Sequence, residues 1–146
     1  MAMRRHLVQD LMTPDPVTIC PTTTLPEAYR LMKGCGVRRL PVVDNGCLVG
    51  IVTLRDVREA TPLGSAPLNL YETTFELARL TIGEIMAHNP ISVAPNTSVE
   101  AAAHLMLEHK ISGVPVVDGS RLVGILTESD IFRLLVTESE MRYSFA

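Results

Sequence analysis

Leu-Pro-Val-Val-Asp at residues 40–44 returns as Val-Pro-Val-Val-Asp at residues 114–118, and this recurrence decides the fold. Pro41 and Pro115 are 74 positions apart, and the same offset aligns the two halves of the chain without a gap. About a third of the aligned positions are identical over about 50 residues, which chance does not produce. The sequence therefore predicts two copies of one structural unit.

Each copy predicts the same order of helices and strands. The first copy predicts a helical turn at 10–14, a strand at 17–20, a helix capped by Thr24 and ended by Gly34 and Gly36, strands at 39–43 and 48–53, and a helix at 54–60. Asp44-Asn45-Gly46 predicts a hairpin turn, because Asn-Gly accepts positive φ. The second copy predicts strands at 92–94, 114–117 and 122–126, and helices at 98–108 and 128–137.

The repeat also sets the expected domain boundaries. We expect repeat units at residues 1–60 and 82–137, a linker at 61–81 and a tail at 138–146. A unit of ~55–60 residues is marginally stable alone, so two such units predict mutual burial, sheet against sheet, about a pseudo-two-fold axis. The linker residues Tyr71, Phe75, Leu77, Ala78 and Leu80 have helical spacing. A linker packed on the core is favoured over a lid or a partner surface.

Composition narrows the functional classes. The 146 residues are 47% hydrophobic and carry a formal charge of −3, so we expect a folded protein that does not bind nucleic acid through overall positive charge. The chain has no Trp and only 4% aromatic residues, which leaves little for stacking bases. No apolar run approaches the ~18 residues of a membrane span, and no apolar stretch follows the basic N-terminus, so we expect a cytoplasmic protein.

The cysteines and histidines are not arranged in the patterns that disulfide, metal or catalytic chemistry requires. Three cysteines form no CxxC pair, and we expect reduced thiols, with Cys20 and Cys47 buried as small hydrophobic residues. Four scattered histidines predict no metal site. No Ser/His/Asp order, Walker loop or GxGxxG appears, so we predict no enzyme and no catalytic cofactor.

Three doubled motifs together carry a family resemblance. Met-x-x-x-Pro begins at Met12 and Met86, the Pro-Val-Val-Asp strands follow, and Gly-x-x-Thr-x-x-Asp covers 50–56 and 124–130. In this order the chain resembles a tandem pair of CBS domains, the Bateman module, over about residues 8–136. It is also similar to stand-alone bacterial and archaeal CBS-pair proteins, including AcuB-like ones. The resemblance implies an α/β (α+β) fold of two β-α-β-β-α units, regulatory sensing of adenine nucleotides and disk-shaped dimers.

The Thr-x-x-Asp segments can be read chemically. Thr53 is placed to cap a helix, and Asp56 stands at the third helical position. The amides of a helix start suit a phosphate, whereas a carboxylate suits two ribose hydroxyls. Thr127, Ser129 and Asp130 repeat the arrangement. Simple helix capping by each Thr and Asp is the alternative interpretation.

The resemblance assigns the remaining site residues. It implies one cleft that joins Met12, Val17, Val37 and Arg38 to Thr127, Ser129 and Asp130. It implies a second cleft that joins Met86, Ile91, Ile111 and Ser112 to Thr53, Arg55 and Asp56. Thr18 and Lys110 complete the predicted ligand-binding set, and ordinary core packing is the alternative for each apolar member. We expect the cleft with Arg38 to bind phosphate better, because Arg38 is a bidentate donor and its counterpart Ser112 is not.

These observations favour a non-catalytic regulatory module. The expected ligand contains adenosine: AMP, ADP or ATP, with S-adenosylmethionine or NAD also open. Binding would reorient the units or two chains and so bias the activity of a protein partner that the sequence does not identify. Apolar helix positions such as Ala101, Leu105, Ile131, Leu134 and Leu135 predict a homodimer. The alternative is a dimerising scaffold that binds no ligand.

Overall fold

The computed structural model describes residues 5–60 and 79–144, with side chains described up to residue 140. The fold is mixed α/β, as the sequence predicts. Contacts divide the chain into two compact units, one containing Val17–Pro90 and the other the residues up to Pro16 and from Ile91 onward. They are termed here the first-repeat unit and the second-repeat unit. The predicted linker helix around Tyr71, Phe75, Leu77 and Ala78 lies outside the described residues.

The first-repeat unit is built on an antiparallel hairpin with helices against it. Its elements are α2 (Leu25–Cys35), β2 (Arg39–Asp44), β3 (Cys47–Thr53), α3 (Leu54–Ala60), α4 (Ile82–Ile85) and β4 (Ala87–His88). As predicted, the hairpin turns at Asn45 and Gly46, both of which have positive φ. The buried core contains Ile19, Leu25, Ala28, Met32, Leu40, Val42, Val52, Val57, Ile82 and Met86.

Local hydrogen bonds fix both ends of α2. The Glu27 amide donates to Thr24 Oγ1 at 3.4 Å, and the Thr24 amide donates to Glu27 Oε2 at 3.0 Å, which is a capping box. Gly36, with φ 65°, ends the helix in the left-handed conformation. Gly34, which was also expected to end the helix, lies within it. The capping signals in the sequence therefore predict this helix to within one turn.

The second-repeat unit has the same plan. Its elements are α1 (Val8–Leu11), β1 (Thr13–Pro14), α5 (Val99–His109), β5 (Gly113–Asp118), β6 (Arg121–Thr127) and α6 (Glu128–Ser144). The buried core contains Val8, Val93, Ala102, Met106, Val114, Val116 and Leu126. Ser98 caps α5 by accepting from the Ala101 amide at 3.1 Å. Across the described residues, no helix is long and apolar enough to cross a membrane.

Each unit is completed by the opening segment of the other repeat. In the second-repeat unit, β1 pairs with β6 and the Val8 amide donates to the Thr97 carbonyl at 2.8 Å. In the first-repeat unit, β4 pairs with β3 and the Ile82 amide donates to the Thr23 carbonyl at 2.8 Å. The first ten or so residues of each sequence repeat therefore belong to the compact unit of the other repeat.

A glycine in the middle of each long strand receives the side chain of the exchanged segment. An ideal Cβ built on Gly50 would press on Met86 Sδ and lie 3.0 Å from the Ala87 carbonyl oxygen. A Cβ on Gly124 would press on Met12 Sδ and lie 3.0 Å from the Thr13 carbonyl oxygen. Glycine is required at both positions because the exchanged backbone and its methionine occupy the space of a side chain.

Several predictions about these elements are wrong. The helical turn expected at 10–14 lies at Val8–Leu11, and Thr13–Pro14 forms a strand. The expected strands at 17–20 and 92–94 reduce to the single parallel bridges Ile19↔Val42 and Val93↔Val116. Prolines at 16, 21, 90 and 95 flank both stretches and lack the amides that a longer ladder needs. The last helix was expected to end at residue 137 but continues to Ser144, since no Gly or Pro interrupts residues 138–144. Leu80, expected to be helical, is not; its carbonyl accepts from the Leu25 amide at 3.1 Å.

Cys20 is exposed, and its expected burial in the core is also wrong. Instead of a strand residue, Cys20 is the first residue of a turn closed by the Thr23 amide, and Thr22 Oγ1 lies 3.2 Å and Thr23 Oγ1 3.3 Å from its Sγ. These hydroxyls, Thr22 first, lower the pKa of the Cys20 thiol by stabilising the thiolate. Cys35 is also exposed.

We expect iodoacetamide to alkylate Cys20 faster than Cys35 at neutral pH. Because its pKa is lowered, a larger fraction of Cys20 is reactive thiolate at any pH below the usual thiol pKa. The rate advantage of Cys20 should fade once the pH rises above that usual value. Mass spectrometry of timed digests gives both rates in one sample, and Thr22→Ala should slow only the reaction at Cys20. Equal rates for the two cysteines would show that the threonine hydroxyls do not activate the thiol.

Candidate functional site

The first candidate site is the junction of β3 and α3. The Thr53 amide donates to Asp56 Oδ2 at 2.8 Å, and the Asp56 amide donates to Thr53 Oγ1 at 3.1 Å. These reciprocal bonds hold the carboxylate in a fixed position beside the end of the strand. Helix capping and ligand binding are therefore compatible roles, because each carboxylate oxygen can accept from more than one donor.

The second candidate site, at the junction of β6 and α6, differs in detail. The Thr127 amide and hydroxyl both donate to Asp130 Oδ2, at 2.8 and 3.1 Å. Arg133 Nη1 donates to Asp130 Oδ1 at 2.9 Å. The Asp130 side chain is only 5% exposed, so its charge is largely removed from water and is balanced by this arginine.

The helix starts offer fewer free amides than the sequence suggested. The Leu54 amide donates to the Arg38 carbonyl at 2.7 Å, and the Glu128 amide donates to the Ser112 carbonyl at 3.0 Å. The Asp56 amide is also engaged, by Thr53 Oγ1. Since the first amide of each helix is already bonded, phosphate binding by helix amides alone has less support than recognition of a neutral sugar by the carboxylates.

The predicted ligand-binding residues divide evenly between the two units. The first-repeat unit holds Val17, Thr18, Val37, Arg38, Thr53, Arg55, Asp56 and Met86. The second-repeat unit holds Met12, Ile91, Lys110, Ile111, Ser112, Thr127, Ser129 and Asp130. Within a unit, the strand register places the backbone of Arg38 beside Leu54, and that of Ser112 beside Glu128.

The apolar candidates have different environments. Met86 is buried in its core, whereas Met12, Val37, Ile91 and Ile111 are half-buried and pack against the cores. Val17 is 39% exposed and so is not a core residue. The exposed Val17 side chain is available to contact an apolar ligand group, whereas the four half-buried side chains are only partly available.

Two of the predicted residues have other environments. Thr18 lines a cavity of about 670 Å³ together with Ile19, Cys20, Thr23, Glu27, Arg30, Leu31 and Val43. None of Thr53, Arg55 and Asp56 lines this cavity. Lys110 is exposed and adopts φ 54°, at the helix end where the first repeat has Gly36. A lysine in the left-handed conformation is strained, and such strain is concentrated at functional positions.

Arg133 and Glu59 are the residues that the sequence reading missed. Arg133 binds Asp130, and Glu59 binds Arg55, which is one of the predicted ligand-binding residues. The signal was present, because Arg133 follows Asp130 by three residues and side chains at that spacing meet on a helix. Among the residues with described positions, no three His, Cys, Asp or Glu side chains group as a metal site.

The same hydrogen-bonded Thr-Asp pair stands at the end of the hairpin in each of the two repeats. This repetition defines a tandem two-domain module. The CBS domain family model matches residues 8–62 and 82–137. The chain belongs to the CBS domain family and carries two CBS domains.

Three solved structures extend the comparison. AcuB from Vibrio cholerae is 33% identical with a TM-score of 0.79, over 97% of this chain and 98% of that one. The CBS domain pair of protein MJ0100, in complex with 5'-methylthioadenosine and S-adenosyl-L-methionine, is 34% identical with a TM-score of 0.77, over 92% and 99%. CBSX2 from Arabidopsis thaliana, in complex with AMP, is 30% identical with a TM-score of 0.76, over 92% and 98%.

Proposed function

We propose that this chain is a non-catalytic regulatory module that binds an adenosine-containing ligand and acts in the cytoplasm. The observation that carries the proposal is the pair of fixed carboxylates, Asp56 and Asp130, each bonded to the last residue of a strand. A carboxylate held in this way can accept hydrogen bonds from two vicinal hydroxyls, which a ribose offers.

The ligands of related proteins support the adenosine part. 5'-Methylthioadenosine, S-adenosyl-L-methionine and AMP are bound in the MJ0100 and CBSX2 structures. These three molecules share adenine and ribose but not a phosphate. For this chain, the bonded helix amides fit the same preference, so we propose recognition through ribose and base, with phosphate contacts from side chains such as Arg38 and Lys110.

The test is a thermal-shift panel of AMP, ADP, ATP, S-adenosylmethionine, 5'-methylthioadenosine and NAD. A ligand present at about 100 times its Kd adds about 2.7 kcal/mol to the free energy of unfolding. For a chain of this size, we expect the Tm to rise by about 5–10 °C. GMP and ribose 5-phosphate are the controls, because they keep ribose and phosphate but lack adenine. No shift with any adenosine compound would reject the proposal.

We propose in addition that the chain forms a homodimer through α6. Phe132, Leu135 and Val136 are 57%, 51% and 57% exposed, and their spacing places them on one face of the helix. This apolar face includes Phe132 and Val136, which were not among the positions named from the sequence. Two of the named positions, Ile131 and Leu134, are half-buried and line a groove against α5. The same face would serve the alternative function, a scaffold without a ligand.

We expect sedimentation velocity to show a dimer at micromolar concentration. Phe132→Glu with Leu135→Glu should shift the protein to monomer, because like charges would replace the apolar contact. Tyr29→Glu is the control, since Tyr29 is an exposed aromatic residue in the first-repeat unit. A monomer of the unmodified chain throughout this range, or equal effects of the two substitutions, would contradict dimerisation through α6.

A further inference from the structure

Asp56 and Asp130 occupy equivalent positions but differ at the second carboxylate oxygen. In both, Oδ2 accepts from the threonine amide at 2.8 Å. Oδ1 of Asp130 also accepts from Arg133 Nη1 at 2.9 Å. Within residues 5–60 and 79–140, no side chain donates a hydrogen bond to Oδ1 of Asp56. Oδ1 is therefore engaged by Arg133 in Asp130, whereas in Asp56 it accepts no bond from a described side chain.

The difference follows from one position of the repeat. Arg133 stands three residues after Asp130, and the equivalent residue after Asp56 is Glu59. Glu59 Oε1 accepts from Arg55 Nε at 3.1 Å, so the nearby cation of the first repeat is engaged by Glu59. An acidic residue at this position cannot donate to the aspartate, whereas Arg133 does.

We propose that Arg133 sets the ligand affinity of the Asp130 site by competing with the ribose hydroxyls for Oδ1. This inference rests on the proposed function of Asp130. The Arg133 side chain is 74% exposed and Asp130 only 5%, so the arginine can rotate into water while the carboxylate stays in place. A ligand whose hydroxyl must bond to Oδ1 binds only those molecules in which the Arg133–Asp130 ion pair is broken. The apparent Kd of the ligand is therefore higher.

The exposure of Arg133 limits the size of the effect. An ion pair with one exposed partner contributes little, because water and salt screen it. We expect removal of the arginine to tighten ligand binding about two- to fivefold.

The experiment isolates the Asp130 site in the full chain with Asp56→Ala. AMP and 5'-methylthioadenosine are titrated by calorimetry against this variant, with and without Arg133→Gln. Both ligands should bind about two- to fivefold more tightly after Arg133→Gln, and Arg133→Lys should restore much of the original affinity. Arg121→Gln is the charge-matched control, since Arg121 is exposed at the opposite end of β6, and it should change neither affinity.

A reciprocal substitution tests the same position in the first repeat. In the Asp130→Ala background, Glu59→Arg places an arginine three residues after Asp56 and should weaken both ligands by a similar factor. Unchanged affinity in Arg133→Gln would overturn the inference. Weaker binding of AMP alone would overturn it too, because it would show that Arg133 contacts phosphate. If neither ligand binds the unmodified chain, the proposed function fails first, and the inference falls with it.

Discussion

Gly50→Ala and Gly124→Ala should each lower the free energy of unfolding by about 1–3 kcal/mol. The new methyl group would press on the methionine of the exchanged segment and on a backbone carbonyl oxygen 3.0 Å away. The methionine can adjust its rotamer, but the carbonyl is held by the pairing of β3 with β4 or of β6 with β1. Urea denaturation followed by circular dichroism measures the loss.

Gly34→Ala provides a control with the opposite sign. Gly34 lies inside α2, and among the described residues no atom beyond its own stretch of helix comes within 4 Å of the place where its Cβ would be. Alanine should therefore stabilise the chain by about 0.5–1 kcal/mol, since it is the better helix former. If alanine at Gly50 and Gly124 is neutral while Gly34→Ala behaves as expected, the exchanged segments fit less tightly than the contacts indicate.

Asp56→Ala and Asp130→Ala are each expected to weaken an adenosine ligand by about 1–3 kcal/mol at the site concerned. A charged acceptor would be lost from beside the ribose hydroxyls, which would then lack a partner. The double variant should bind AMP and 5'-methylthioadenosine more weakly at both sites. Calorimetry on the two single variants and the double variant gives the contribution of each site.

A matched control separates ligand binding from helix capping. Asp10 Oδ2 accepts from the Leu7 amide at 3.0 Å, the same kind of capping bond, but Asp10 belongs to no predicted site. Asp10→Ala should therefore cost stability, about 1 kcal/mol, without changing affinity. If affinity is unchanged in the Asp56, Asp130 and double variants, the carboxylates act as caps and do not bind ribose.

The elements governed by local chemistry were predictable from the sequence. Asn45 and Gly46 determine the hairpin turn, and Thr24 with Glu27 determines the start of α2, because each signal acts within four residues. The strand expected at 17–20 failed for a reason also visible in the sequence, namely the prolines on either side. The strand was predicted from the hydrophobic residues alone, without taking into account that the flanking prolines have no amide to donate.

Local sequence signals did not predict the exchange of opening segments; only the family resemblance, which grouped Met12 with Thr127 and Met86 with Thr53, pointed to it. An alignment at a fixed offset shows that Met12 and Met86 are equivalent, but not which repeat each one packs on. The choice depends on contacts across the whole chain, such as Val8 with the core that contains Val93 and Val114. For the candidate site, the Thr-Asp pairs followed from the motif, whereas the signal for Arg133 was its three-residue spacing from Asp130 on the helix.

The exchanged segments have a consequence for how such a chain can be inherited. A recombination event that copied residues 82–137 into another gene would carry Ile82 and Met86, which belong to the core of the repeat left behind. It would leave out Val8 and the strand at Thr13–Pro14, which complete the transferred repeat. A single repeat moved alone would thus expose an unfilled core. Transfer of both repeats together is therefore the form of recombination that would keep both cores filled.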